Sequence, residues 1–174
     1  TTKATLTITI KGSTEGVPTI DVPDENLVGQ GDGDKTVAET DVAIAGNFSI
    51  TAPAGLKQIT LGTTTVSEAE LVNLSTNPVT LVTDKGTLVL TGYDASSGKV
   101  SYTYDPKVLT HTNGVSLIDS IALTVTDDLG ISGTSNSLDI NITDSQPVAK
   151  DDANSITEDG PNSVEGNVLT GAGE

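Results

Sequence analysis

The sequence predicts an all-β fold, an antiparallel sandwich, on three observations. Apolar and polar residues alternate at a period of two through most of the chain, the pattern of strands with one buried face. Turn-forming clusters separate these runs at short intervals. The apolar content is carried by Val, Ile, Leu and Ala beside abundant Thr, with aromatic residues only at Phe48, Tyr93, Tyr102 and Tyr104, a composition suited to pleated sheet.

Taken in chain order, Leu6, Ile8 and Ile10 share one face of the first run. Val42 with Ile44, Phe48 with Ile50, Ile59 with Leu61, and Val79 with Leu81 follow. Leu88 with Leu90, Val100 with Tyr102 and Tyr104, Ile121 with Leu123 and Val125, and Leu138 with Ile140 and Ile142 complete the set. The turns between them are "TDKG" at 83–86, "DASSGK" at 94–99, "DDLG" at 127–130 and "GTSN" at 133–136. Short strands at this spacing predict two sheets whose inner faces form the core. One helical turn is expected over 68–74, because Ser67 and Glu70 have capping-box spacing ahead of Leu71 and Leu74.

An internal repeat organises the chain. "ATLTITIKGS" at 4–13 matches "NSLDINITDS" at 136–145, so Leu6, Ile8 and Ile10 correspond to Leu138, Ile140 and Ile142. Each copy leads into a Pro, then acids, then "TVAETD" at 36–41 or "SITEDG" at 155–160. The expected organisation is the last strand of a preceding module with its linker at 1–16, a complete sandwich module at 17–145, and a linker with the opening of a following module at 146–174. The sequence therefore reads as a piece of a longer chain.

Charge narrows the partners. The 174 residues carry 24 acids against 8 lysines and no arginine, a formal net charge of −16. Nucleic acid and anionic membrane surfaces both require a basic patch, so neither is expected as a partner. No apolar run has membrane-spanning length, and membrane insertion is not expected. Cysteine is absent, which removes disulfides, thiolate metal sites and a thiol nucleophile.

Thirteen of the 24 acids fall in 21–41 and 144–165, the two expected junctions, and such crowding is costly unless cations or water screen it. Ca²⁺ takes six to eight oxygen ligands in loose geometry, which carboxylates of a linker and two adjoining domain ends can supply. Candidate ligands at the first junction are Asp21, Asp24, Asn26, Asp32, Asp34 and Glu39. At the second they are Asp144, Asp151, Asp152, Glu158 and Asp159, with Asp127 and Asp128 in a hairpin turn assigned to the same pole. Runs of charge also occur as solvated loops; the recurrence of acids at both junctions favours calcium.

Other chemistries find less support. "GQGDGD" at 29–34 is a single imperfect copy of a glycine-rich nonapeptide that binds metal only by stacking many copies. An EF-hand beginning at Asp32 needs Glu at its twelfth position and meets Ala43. His111 is the only histidine and reads as a hydrogen-bonding loop residue. Without a second histidine or a cysteine, zinc is not expected. No G-x-S-x-G elbow occurs, and four aromatics leave little for a sugar platform, so no enzyme is expected. Asn47, Asn73 and Asn141 begin formal glycosylation sequons that matter only on a eukaryotic secretory route.

"LVLTGYDASSGKVSYTYDP" followed by "DSIALTVTDDLGISGTSNSLDINITDSQPVAKDD" resembles the tandem repeats of giant bacterial surface proteins exported by type I secretion. The likeness covers most of the central module and rests on Gly92, Tyr93 and Asp94, on Ser101, Tyr102 and Tyr104, and on Thr124 to Asp127 with Gly130. The tail "QPVAKDDANSITEDGPNSVEGNVLTG" is similar to the opening of VCBS and cadherin-like repeats, although "TGAGE" stands where that pattern continues into an N-D-x-D segment. The resemblance implies Greek-key, immunoglobulin-like sandwiches strung end to end in biofilm or RTX-type adhesins, with calcium stiffening the array. It further implies that Asp144 is the acid of the inter-module linker, Glu158 the early acid of the following module, Glu39 its equivalent in the central one, and Asp127 the acid of the turn before the final strand.

The expected function is thus a calcium-stiffened structural extender of a large adhesin on the bacterial cell surface, supporting cell adhesion and biofilm formation. Its partners would be calcium and the neighbouring modules of the same chain. The alternative is a calcium-dependent sugar- or peptide-binding module, for which "YDPKVLTHTNGVSL" at 104–117 is the candidate loop. The flanking strand 4–11 and the segment 147–174 could also pair between molecules through open strand edges.

Overall fold

The computed structural model describes residues 16–24, 34–39, 41–112, 115–133, 136–145 and 158–160. In chain order these form β1 (Thr19–Asp21), β2 (Lys35–Ala38), β3 (Ile44–Thr51), β4 (Leu56–Leu61), β5 (Thr64–Ser67), α1 (Glu68–Leu71), β6 (Val79–Val82), β7 (Gly86–Asp94), β8 (Lys99–Pro106), β9 (Leu117–Asp127) and β10 (Asn136–Thr143). The expected strand at 4–11 and most of 146–174 lie outside the described residues.

The strands build two five-stranded sheets, ordered β1-β3-β8-β7-β6 and β2-β10-β9-β4-β5. The chain crosses between sheets from β1 to β2, from β2 to β3, from β3 to β4, from β5 through α1 to β6, and from β8 to β9. β1, β3, β8 and β7 stand in the order of the A, B, E and D strands of an immunoglobulin-type sandwich, and β10, β9 and β4 in that of G, F and C. The all-β sandwich expected from the sequence is the observed fold. One ladder departs from antiparallel pairing: β2 runs parallel to β10, with Lys35 beside Ile140 and Ala38 beside Thr143.

The inner faces follow the period-two pattern. Phe48 and Ile50 of β3, Ile59 and Leu61 of β4, Leu88 and Leu90 of β7 are buried, as are Val100, Tyr102 and Tyr104 of β8. The other sheet adds Ile121, Leu123 and Val125 with Leu138, Ile140 and Ile142. Each fully buried aliphatic or Phe side chain contributes roughly 1.5–3 kcal/mol relative to leaving it in water. Val42 breaks the expected pattern. It is 87% exposed and precedes β3, because the chain is still in the connection from Glu39 when it passes this position.

Register defines two poles. Thr19 lies beside Thr51, Leu56 beside Asp127, and Gly133 donates to Val125 O, so the chain comes in at the pole that holds the β3–β4 connection and the turn after β9. Thr143 pairs with Ala38, Ile142 with Leu117, and Ile44 with Tyr104, so the chain leaves at the opposite pole. From Leu117 to Asp127 a strand spans roughly 34 Å at about 3.4 Å per residue, which sets the separation of the upstream and downstream poles.

Candidate metal site

Glu39 is positioned by the parallel ladder. Its amide donates to Thr143 O at 3.1 Å, adding one bond beyond the end of β2. The chain then turns at once, because the Asp41 carboxylate accepts from Ala38 N at 3.0 Å and Asp41 N donates to Ala38 O at 2.9 Å. The Glu39 side chain is left under the β8–β9 connection. Its Oε2 accepts from Leu109 N at 2.9 Å, and its Oε1 accepts from Ser145 Oγ at 2.8 Å and Ser145 N at 3.4 Å. One carboxylate thereby ties together the end of β2, the loop after β8 and the chain leaving β10.

These donors hold the Glu39 carboxyl below the ordinary glutamate range. The Leu109 amide is the main cause and the Ser145 hydroxyl the next; burial opposes them, while the Ser145 amide and the nearby His111 add to the lowering. Glu39 is therefore an anion fixed in place near neutral pH.

His111 occupies the same pocket. Its Nδ1 lies 2.8 Å from Val115 O, and since a carbonyl can only accept, Nδ1 carries the proton. In the neutral ring Nε2 then presents a lone pair. That Nε2 sits 3.6 Å from Glu39 Oε2, is buried, and has no hydrogen-bond partner among the described residues. Asp144, the first residue beyond β10, completes the group: one ligand atom from each of Glu39, His111 and Asp144 lies within 4.8 Å of the others.

The remaining expected ligands divide by location. Asp127 and Asp128, assigned by sequence to the pole of Asp144, lie instead at the upstream pole, because β9 runs the full length of the sheet between them and Leu117. Asp127 is fully buried, and its Oδ1 accepts from Ile131 N at 2.7 Å to close the turn. Glu39, assigned to the first junction, is at the downstream pole with Asp144 because β2 parallels β10 and ends where β10 ends. Asp34 belongs to neither pole. Its amide donates to Asp139 O at 2.7 Å and its Oδ2 accepts from Asp139 N at 2.7 Å, part-way along the sheet. Burial chiefly raises the Asp34 carboxyl above its ordinary range, the Asp139 amide counteracts this, and the charges of Asp139 and Asp24 reinforce it. Asp21 is exposed on edge strand β1, Asp24 is exposed beyond it, and Glu158 and Asp159 lie in an exposed turn. Asn26, Asp32, Asp151 and Asp152 lie outside the described residues.

The sequence reads His111 as a hydrogen-bonding loop residue, which its bond to Val115 O matches, and does not place it with Glu39 and Asp144. His111 stands 72 residues after Glu39 and 33 before Asp144; the parallel β2–β10 ladder sets Glu39 beside the end of β10, and the β8–β9 connection carries His111 to them. The available signal was topological: the segment at 104–117 must return to the pole at which β10 ends.

A fit to calcium can be judged from the donors. Ca²⁺ needs six to eight oxygens, and the group formed by the described residues offers two carboxylates and an imidazole nitrogen. As it stands this set is short of oxygen and contains a donor that Ca²⁺ disfavours. In comparisons with known proteins, no family model and no curated sequence matches the chain.

Proposed function

We propose that the chain is a structural extender module of a large bacterial surface adhesin, holding a distal adhesive part away from the cell. The observation that carries this reading is the placement of the chain ends of the sandwich: the chain comes in at Gly16–Thr19 on one pole and leaves through Thr143–Ser145 on the other. Sandwiches connected in that way add their lengths rather than folding back. Glu39 supports the same reading, since it fastens the outgoing residue Ser145 to the body of the sandwich. No helix among the described residues is long and apolar enough to cross a membrane.

In this reading calcium stiffens the junctions. It would be held by the acids of the linker that follows the sandwich, Asp151 and Asp152 among them, and extracellular modules commonly bind Ca²⁺ with Kd of about 10⁻⁴ to 10⁻³ M. The residues at 104–117, the candidate ligand-binding loop, give less support to the sugar- or peptide-binding alternative, because His111 is turned inward onto Glu39. The test is small-angle scattering on two copies of the chain fused head to tail. The expected maximum dimension is close to twice that of one copy, and it becomes narrower in distribution as Ca²⁺ rises to millimolar levels. A dimension like that of two sandwiches packed side by side would reject the extender, and a curve indifferent to Ca²⁺ would reject the stiffening ion.

A further inference from the structure

We infer that Glu39, His111 and Asp144 form a site for a nitrogen-accepting divalent metal of the Zn²⁺ class at the downstream pole, distinct from any calcium held by the acidic linker. Three observations carry it, and none depends on the extender reading. First, the imidazole is set up as a ligand. The Val115 carbonyl accepts a hydrogen bond from Nδ1–H, which fixes the tautomer and ring orientation as the outer partners of metal-bound histidines do. Second, the nitrogen left free is buried without a hydrogen bond from any described residue. His111 is 1% exposed in its side chain, and Nε2 has no hydrogen-bond partner among the described residues, a costly condition for a polar atom. Third, the spacing suits a shared ion better than a direct contact. At 3.6 Å, Nε2 and Glu39 Oε2 are beyond hydrogen-bond range. Two ligands at about 2.1 Å from a tetrahedral Zn²⁺ stand about 3.4 Å apart.

Glu39 can serve without giving up its present bonds. Each carboxylate oxygen has two lone pairs; Ser145 donates to Oε1, while the Leu109 amide takes only one of the pairs on Oε2, the oxygen that faces His111. Asp144 brings the third ligand from the outgoing chain, so the metal would join the β2 end, the β8–β9 loop and the chain beyond β10. Three protein ligands leave a fourth position for water. Ligand type sets the choice of ion: imidazole with carboxylates suits Zn²⁺ and its first-row neighbours, whereas an all-oxygen shell suits Ca²⁺.

The whole chain has a single histidine, so its imidazole resonances are unambiguous in a tag-free sample. The chain would be stripped with EDTA, dialysed, and titrated with Zn²⁺ at pH 7.5 while imidazole ¹⁵N spectra and binding heats are recorded. The expected result is one Zn²⁺ per chain, a shift at Nε2 with the Nδ1 proton retained, and at least about a tenfold weaker affinity in His111→Asn. Asp144→Asn, at the edge of the sandwich, should also weaken Zn²⁺, which guards against a His111 variant that misfolds. Nε2 signals unmoved at saturating Zn²⁺, or Zn²⁺ affinity unchanged in both variants, would overturn the site. So would Ca²⁺ producing the same Nε2 shift at lower concentration than Zn²⁺. The scattering experiment on the fused pair reads shape alone, so failure there and failure here are separable.

Discussion

Tyr104 crosses the core to place its hydroxyl 2.6 Å from Asp119 Oδ2, where the Thr83 hydroxyl also donates at 2.5 Å. Burial, and then the bond to Asp119 and its charge, push the phenol far above its ordinary range, so it is a permanent donor. The ring needs room that the neighbouring strand supplies with a glycine. A Cβ on Gly86 would fall on the Tyr104 phenol, and one on Gly46 would fall on the ring of Tyr102 directly across the ladder. Tyr104→Phe should keep the packing while leaving a buried carboxylate one donor short, at a cost of about 1–3 kcal/mol in chemical denaturation. The inward direction of Tyr102 and Tyr104 was legible in their alternation with Thr103. The bond to Asp119 was not, because Asp119 is an acid in an apolar run and only the packing of the two sheets gives it partners. His111 was hidden for the same reason: a side chain's role in this fold is set by what the opposite strand or loop brings to it.

At the scale of elements, α1 is the part whose local chemistry was plainest in advance. Ser67 N donates to Glu70 Oε2 at 2.8 Å and Glu70 N donates to Ser67 Oγ at 3.4 Å, the reciprocal pair of a capping box. Leu71 and Leu74 below it are fully buried, which anchors the turn to the core. Ser67→Ala should cost about 1 kcal/mol. The Ser67 hydroxyl, and then its amide, lower the Glu70 carboxyl below the ordinary range. A depressed folded value means the contribution is present above the unfolded value and is lost as pH falls through the folded one. The melting-temperature advantage of wild type over Glu70→Gln is therefore expected at pH 7 and should vanish on acidification. The parallel pairing of β2 with β10 was less legible. "KTVA" at 35–38 is too short to show a period, and the partner strand lies about a hundred residues later. That one ladder decides which acids meet, so the strand runs could be read from the sequence while the division of acids between the poles could not.

Across the whole molecule, a formal charge of −16 acts on a sandwich whose acids are spread over both poles and the β2–β10 flank. Self-repulsion of this kind favours expansion and is screened over about 10 Å at 0.1 M salt. With divalent ions removed by EDTA, raising NaCl from about 10 to about 200 mM is expected to raise the melting temperature in calorimetry. The same layout bears on how the sandwich answers to a pull. Force applied at Gly16 and at Ser145 runs along the strand axes, since the two attachment points lie at opposite poles. The bonds between β2 and β10 lie across that direction and are loaded together in shear. They must break as a group rather than unzip in turn, so a tether through these two points grips hardest along the line in which it is stretched.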